Sequence, residues 1–175
     1  MRNRRILLYL VLSILLFPSA WGFAQGDIEE IRQLIAEKTN ALRAAKGLPR
    51  LLLLDSLMDL AQEHSKNMVM HHFYAHVDHL GQDPIQRAER QKVKAWTKRG
   101  NRWVGIAENI AQTPWFENVR GCGDTRSEAG LATCMVNGWK NSPPHYQNIM
   151  GDFTHLGVGV FFDEKGRAFG TQNFR

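Results

Sequence analysis

Seven histidines occur in this chain of 175 residues, and five of them fall within His64–His79. Imidazole changes charge near neutral pH, moves protons and ligates metals. His72 and His76 stand four apart, and His76 and His79 three apart, so either pair shares a face if the segment is helical. No HExxH is present, which removes the helix-borne zinc-protease arrangement. GxSxG, P-loop and GxGxxG patterns are absent as well. Two further groups can do chemistry. Glu108 is a carboxylate inside the apolar run Val104–Ala111, and a buried carboxylate needs a partner or a metal ion. His145 follows Pro143 and Pro144, which fix its approach. His76, Glu108 and His145 come from three separate segments and can converge on one cleft. The alternative is a hydrolytic relay of Ser142, His145 and Glu108, with two prolines standing between the hydroxyl and the imidazole.

These groups need a scaffold. Asp27 can cap a helix reaching about Lys46, with Ile28, Ile31, Leu34, Ile35, Leu42 and Ala45 on one face. Gly47 is its expected stop, and Pro49 lies just beyond. Leu51–Leu54 reads as a connector. Asp55 caps a second helix whose stripe Leu57, Leu60, Ala61, His64, Met68 and His71 puts His64 on or beside the buried side. Phe73–Gly81 reads as a loop. Asp83 and Pro84 open a short helix to about Gln91. Lys92–Arg102 is basic and irregular, and Gln112–Asp124, with Pro114, Gly121 and Gly123, reads as a long loop. A helix over about Ser127–Asn141 buries Leu131, Met135 and Trp139 and ends at Asn141-Ser142-Pro143-Pro144. Thr154–Phe162 and Arg167–Asn173 form a β-hairpin, in which Leu156, Val158, Val160 and Phe162 alternate. The fold class is α+β with one antiparallel sheet.

Residues 1–24 read as a signal peptide. Met1–Arg5 is basic, Ile6–Phe17 is a twelve-residue apolar run, and Gly22 and Ala24 are small. Cleavage is expected at Ala24, with Ala20 the weaker site; the rival reading keeps Ile6–Phe23 as a membrane anchor. Residues 25–175 then form one domain, secreted or periplasmic, with no later stretch of transmembrane length. Hydrophobic, aromatic and charged shares of 43%, 10% and 22% fit a packed globular chain and exclude a disordered one. Arg2, Arg4 and Arg5 carry three of the five net positive charges, which leaves +2 after residue 24 and does not suggest a nucleic-acid partner. Cys122 and Cys134 are the two cysteines. An oxidising compartment allows them to pair, the alternative being two separate buried thiols.

A set of segments in order is more specific. Phe73-Tyr74-Ala75-His76, Ala107-Glu108-Asn109-Ile110, Trp139 to Met150 (WKNSPPHYQNIM), Thr154 to Val160 (THLGVGV) and Thr171-Gln172-Asn173-Phe174 follow one another. Together they resemble the bacterial branch of the CAP superfamily, or SCP domain, with its cysteine-rich secretory proteins, antigen 5 and plant pathogenesis-related proteins. The resemblance covers roughly 28–175, and Asn40, Arg43, Gly47 and Leu48 fit the family's opening helix. It implies an α–β–α sandwich with a central antiparallel sheet. It also implies a cleft of histidines and acids that in several members holds zinc or another divalent cation. His76 and His145 match the two cleft histidines, and Glu108 matches the first cleft glutamate. Ser142 stands where many members carry a second glutamate, Ala107 where they carry a glycine, and Pro144 likewise. Three functions follow: a non-enzymatic binding or effector module for a small molecule, lipid or peptide; a metal-dependent or Ser/His-type hydrolase; or a structural envelope-associated domain.

Overall fold

The computed structural model describes residues 27–175, so the signal-peptide expectation lies outside the described residues. The elements in chain order are α1 (Ile28–Ala44), β1 (Leu52–Leu53), α2 (Asp55–Met70), α3 (Pro84–Arg90), β2 (Trp96–Arg99), β3 (Arg102–Gly105), β4 (Ala107–Pro114), α4 (Glu128–Lys140), α5 (Pro143–Ile149), β5 (His155–Phe162) and β6 (Arg167–Phe174). The main sheet runs β1-β5-β6-β4, and β2-β3 form a separate two-stranded ribbon. β4, β6 and β5 are antiparallel, and β1 adds to β5 in parallel.

Alternation along β5 assigns the two faces of the sheet. Leu156, Val158, Val160 and Phe162 enter the main core with Ile31 and Ile35 of α1 and Leu131, Met135 and Trp139 of α4. Gly157 and Gly159 face the other way, onto α2. A Cβ on Gly157 would lie 2.1 Å from the Leu57 carbonyl oxygen, and one on Gly159 would lie 2.2 Å from the Ala61 carbonyl carbon. α2 therefore rests directly on the strand backbone. The result is the α–β–α sandwich, with α2 on one side and α1, α4 and α5 on the other.

The helix caps follow from the residues that precede them. The Asp27 side chain accepts from the Glu29 and Glu30 amides, and Asp83 and Gln86 form a reciprocal capping box. α2 starts without a side-chain cap, because Asp55 is its first helical residue and Leu54 occupies the cap position. Inside α1, Asn40 exchanges hydrogen bonds with Leu51 at 3.0 and 2.8 Å. Arg43 donates to the carbonyls of Pro49, Ile149 and Gly151. These polar side chains tie the start of the fold to the end of α5.

Besides the Asp55 cap, four sequence expectations need correction. Leu52 and Leu53, read as connector, form β1, because Leu52↔His155 and Leu53↔Leu156 pair along β5. The irregular basic stretch forms the β2-β3 hairpin. One face carries Thr97, Val104, Arg99 and Arg102 and the other Trp96, Lys98 and Trp103, so no hydrophobic alternation announced it. Gln112–Asp124 is loop only after Pro114, because β4 continues to that residue. Pro143 and Pro144 open α5 as well as ending α4, since the first turn of a helix has no use for their missing N–H groups. Cys122 and Cys134 are joined, with Cα atoms 5.2 Å apart, and bind the loop after β4 to α4.

Candidate binding cleft

Glu108 and Asn109 are consecutive on β4, an edge strand, so their side chains leave opposite faces of the sheet. Glu108 points to the α2 side. Its carboxylate is 1% exposed and accepts from three directions. Arg87 of α3 forms a buried ion pair with Oε2. Asn173 of β6 donates to the same oxygen at 3.1 Å, and His76 Nδ1 lies 3.0 Å from Oε1. Burial alone would push this carboxyl up. The His76 hydrogen bond, the neighbouring His64 and the Arg87 guanidinium outweigh it and hold the group below the ordinary carboxylate range. Glu108 is therefore ionised, and His76 must carry its proton on Nδ1 to donate. Nε2 is the His76 nitrogen left for a ligand.

Arg87 also grips the loop that carries His76, donating to the His76 carbonyl at 2.6 Å and to the Gln82 carbonyl at 3.0 Å. His64, fully buried on α2, donates from Nε2 to the Ala75 carbonyl at 3.0 Å. That contact leaves Nδ1 as a buried acceptor without a partner. Burial lowers the His64 pKa against the pull of Glu108, so the ring is held neutral.

Asn109 does the matching work on the other face with neutral groups. Its amide donates to the His145 carbonyl and to Gln172 Oε1, both at 3.1 Å. Asn148 of α5 bonds Asn109 Oδ1 at 2.9 Å and the Glu108 carbonyl at 3.2 Å. Gln172 continues to Thr39 of α1 at 2.8 Å. One dipeptide thus fixes both histidines, His76 through its ring and His145 through its backbone.

The rings of His76 and His145 lie 6.5 Å apart between centroids and are tilted by 52°. Burial lowers the His145 pKa, and the nearby His76 lowers it further, so its lone pair is available at neutral pH. His145 and Ser142 line a cavity of about 470 Å³, with Tyr74, Gln112 and Asn141 also in its wall. Of the sequence candidates, His76 and His145 meet in the open, and Glu108 sits behind His76. Glu108 orients His76 and not His145, so the carboxylate arm of the Ser142–His145–Glu108 relay is directed elsewhere. A three-ligand metal site does not fit either. Both Glu108 oxygens are engaged, and a buried guanidinium stands beside them. Among the described residues no group of three or more His, Cys, Asp or Glu side chains is placed to hold a metal ion. The residues that sequence reasoning missed are Arg87, Asn148 and Asn173. α3 is too short for periodicity to reveal a buried arginine.

Comparison with known proteins gives the family and the fold. Residues 36–174 match the Cysteine-rich secretory protein family, CAP. YlbC of Bacillus subtilis (strain 168), described as an uncharacterized membrane protein, is 29% identical over 141 residues, which are 80% of this chain and 33% of YlbC. A crystal structure of an extracellular protein containing a SCP domain, from Bacillus anthracis, superposes with a TM-score of 0.62 at 29% identity, over 83% of this chain and 40% of that one. NaASP2, solved with Zn2+, shares the fold at 16% identity with a TM-score of 0.52, over 83% of this chain and 79% of that one. The chain thus spans well under half the length of the two bacilli relatives. With residues 36–174 matched to the family and the sandwich shared with its solved structures, the chain belongs to the CAP family of cysteine-rich secretory proteins.

Proposed function

We propose that this is an exported, non-enzymatic binding module whose cleft takes a small molecule, lipid or peptide between His76 and His145. The observation that carries the reading is the state of Glu108. A general base needs a free oxygen and a pKa near the working pH. Glu108 has neither, since both oxygens are bound and its pKa is lowered. What reaches solvent is a pair of imidazoles, His76 held by its ring and His145 by its backbone, with His76 47% exposed. A divalent cation such as zinc would take His76 Nε2 and His145, with Glu108 orienting His76 from behind. Two protein ligands would hold it more weakly than a closed four-ligand site. Export rests on the expected signal peptide, on the disulfide and on the description of the Bacillus anthracis relative as extracellular.

Calorimetric titration of zinc into the wild type, His76→Ala and His145→Ala, with melting temperatures measured alongside, tests this. The reading expects binding that weakens at least tenfold in each variant while His145→Ala melts as the wild type does. Unchanged zinc affinity in both variants, with lower melting temperatures, would move the pair to a purely structural role.

A further inference from the structure

The β2-β3 hairpin shares no residue with the cleft, and its composition is unusual for this chain. Between Gln91 and Ala107 there are five basic residues, two tryptophans and no acid. Exposure alternates along its first strand. Lys94, Trp96 and Lys98 are exposed, whereas Val93 and Ala95 are buried. Val93, Ala95 and Ile106 root the ribbon in a second core with Leu57, Leu60 and Ala88. The register pairs Trp96 with Gly105 and Lys98 with Trp103. Cross-strand partners share a face, so Trp96, Lys98 and Trp103 project together, and the alternation adds Lys94. Arg99 belongs to the opposite face, where it donates to Thr154 Oγ1 at 3.2 Å. Trp96 is braced, because its ring lies close over Gly105 beside Ile85. Trp103 is 64% exposed, the most exposed of the large hydrophobic side chains described.

We propose that this outward face docks the protein onto an anionic lipid bilayer surface. Lysines that reach headgroup phosphates gain energy near a negative membrane surface, and an indole is suited to the boundary between headgroups and acyl chains. The absence of any carboxylate in the segment leaves the positive charge uncancelled where it would meet phosphate. Trp103 would enter the interface, and Lys94 and Lys98 would neutralise the lipid.

Protein recovered from the exported fraction is mixed at low salt with vesicles of phosphatidylglycerol and phosphatidylcholine in equal parts, and separately with phosphatidylcholine alone. The expected result is cosedimentation with the anionic vesicles only, reversed by added salt, with a blue shift of the emission that disappears in Trp103→Ala. A Lys94→Gln/Lys98→Gln variant should bind the anionic vesicles about 25-fold more weakly, at roughly fivefold per lysine removed. All these positions are exposed, so circular dichroism should show the variants folded as the wild type is. Equal partition into neutral vesicles, no anionic binding at low salt, or undiminished binding in the folded variants would each overturn the proposal. Binding to soluble polyphosphate without binding to vesicles would also overturn it and reassign the face to an anionic polymer.

Discussion

The two faces of β4 solve the same problem with opposite chemistry. On the α2 side, Glu108, Arg87, His64 and Asn173 place His76 through a buried charge and its counter-charge. On the α4 and α5 side, Asn109, Gln172, Asn148 and Thr39 place His145 through neutral amides and a hydroxyl. A charged bracket is stiff but fails badly when one partner goes. A neutral bracket fails mildly and ignores pH. The cleft histidines thus stand close together yet depend on different conditions.

The sharpest way to break this contrast is Arg87→Met. It strands the Glu108 carboxylate in the core and should cost about 3–5 kcal/mol at pH 7. The cost should shrink as pH falls and Glu108 takes a proton. Urea unfolding at several pH values reads both effects, and a loss that stays constant with pH would erase the distinction. Asn109→Leu should cost about 1–3 kcal/mol through the partners it leaves unpaired, and by the same amount at pH 7 and pH 5.

Wild-type stability should itself fall on acidification in two stages. His64 has a folded pKa below its ordinary 6.5. Its contribution is therefore complete above that value and is lost as pH drops below it, because the unfolded chain binds the proton more readily. Glu108 is likewise depressed below its ordinary 4.5 and adds a second loss at lower pH. Chelator-treated protein should show the first stage, and His64→Asn should show a smaller one, carried by His145 and His155, whose pKa values are also lowered. The smallest expected effect belongs to His145→Ala. It should change stability by no more than about 0.5 kcal/mol, because Asn109 holds the backbone of His145 and not its ring.

Much of this arrangement could be read from the residues. Leu156, Val158, Val160 and Phe162 announced β5 by alternation, and the stripe through Leu57, Leu60 and His64 announced both α2 and its buried histidine. Glu108 in an apolar run signalled that a partner must exist, but not that the partner is Arg87. That pairing depends on α3 and β4 meeting in space, which no local period encodes. β1 was invisible because two residues carry no pattern, and its strand character comes from β5. The β2-β3 ribbon was missed for a different reason: its outward positions hold lysine and tryptophan, so charge masked the period of two.

The hydrogen bond from Gln172 to Thr39 joins residues 133 positions apart, and β1 lies beside a strand made near the end of the chain. Such pairings make the folding order late and all-or-none. α1 has little to bury against until α4, β5 and β6 have been synthesised, and long-range contacts of this kind close slowly. A nascent chain of this design stays open for most of its length. Loss of the last strand alone would take Phe174 from the core, Asn173 from Glu108 and Gln172 from Asn109 together.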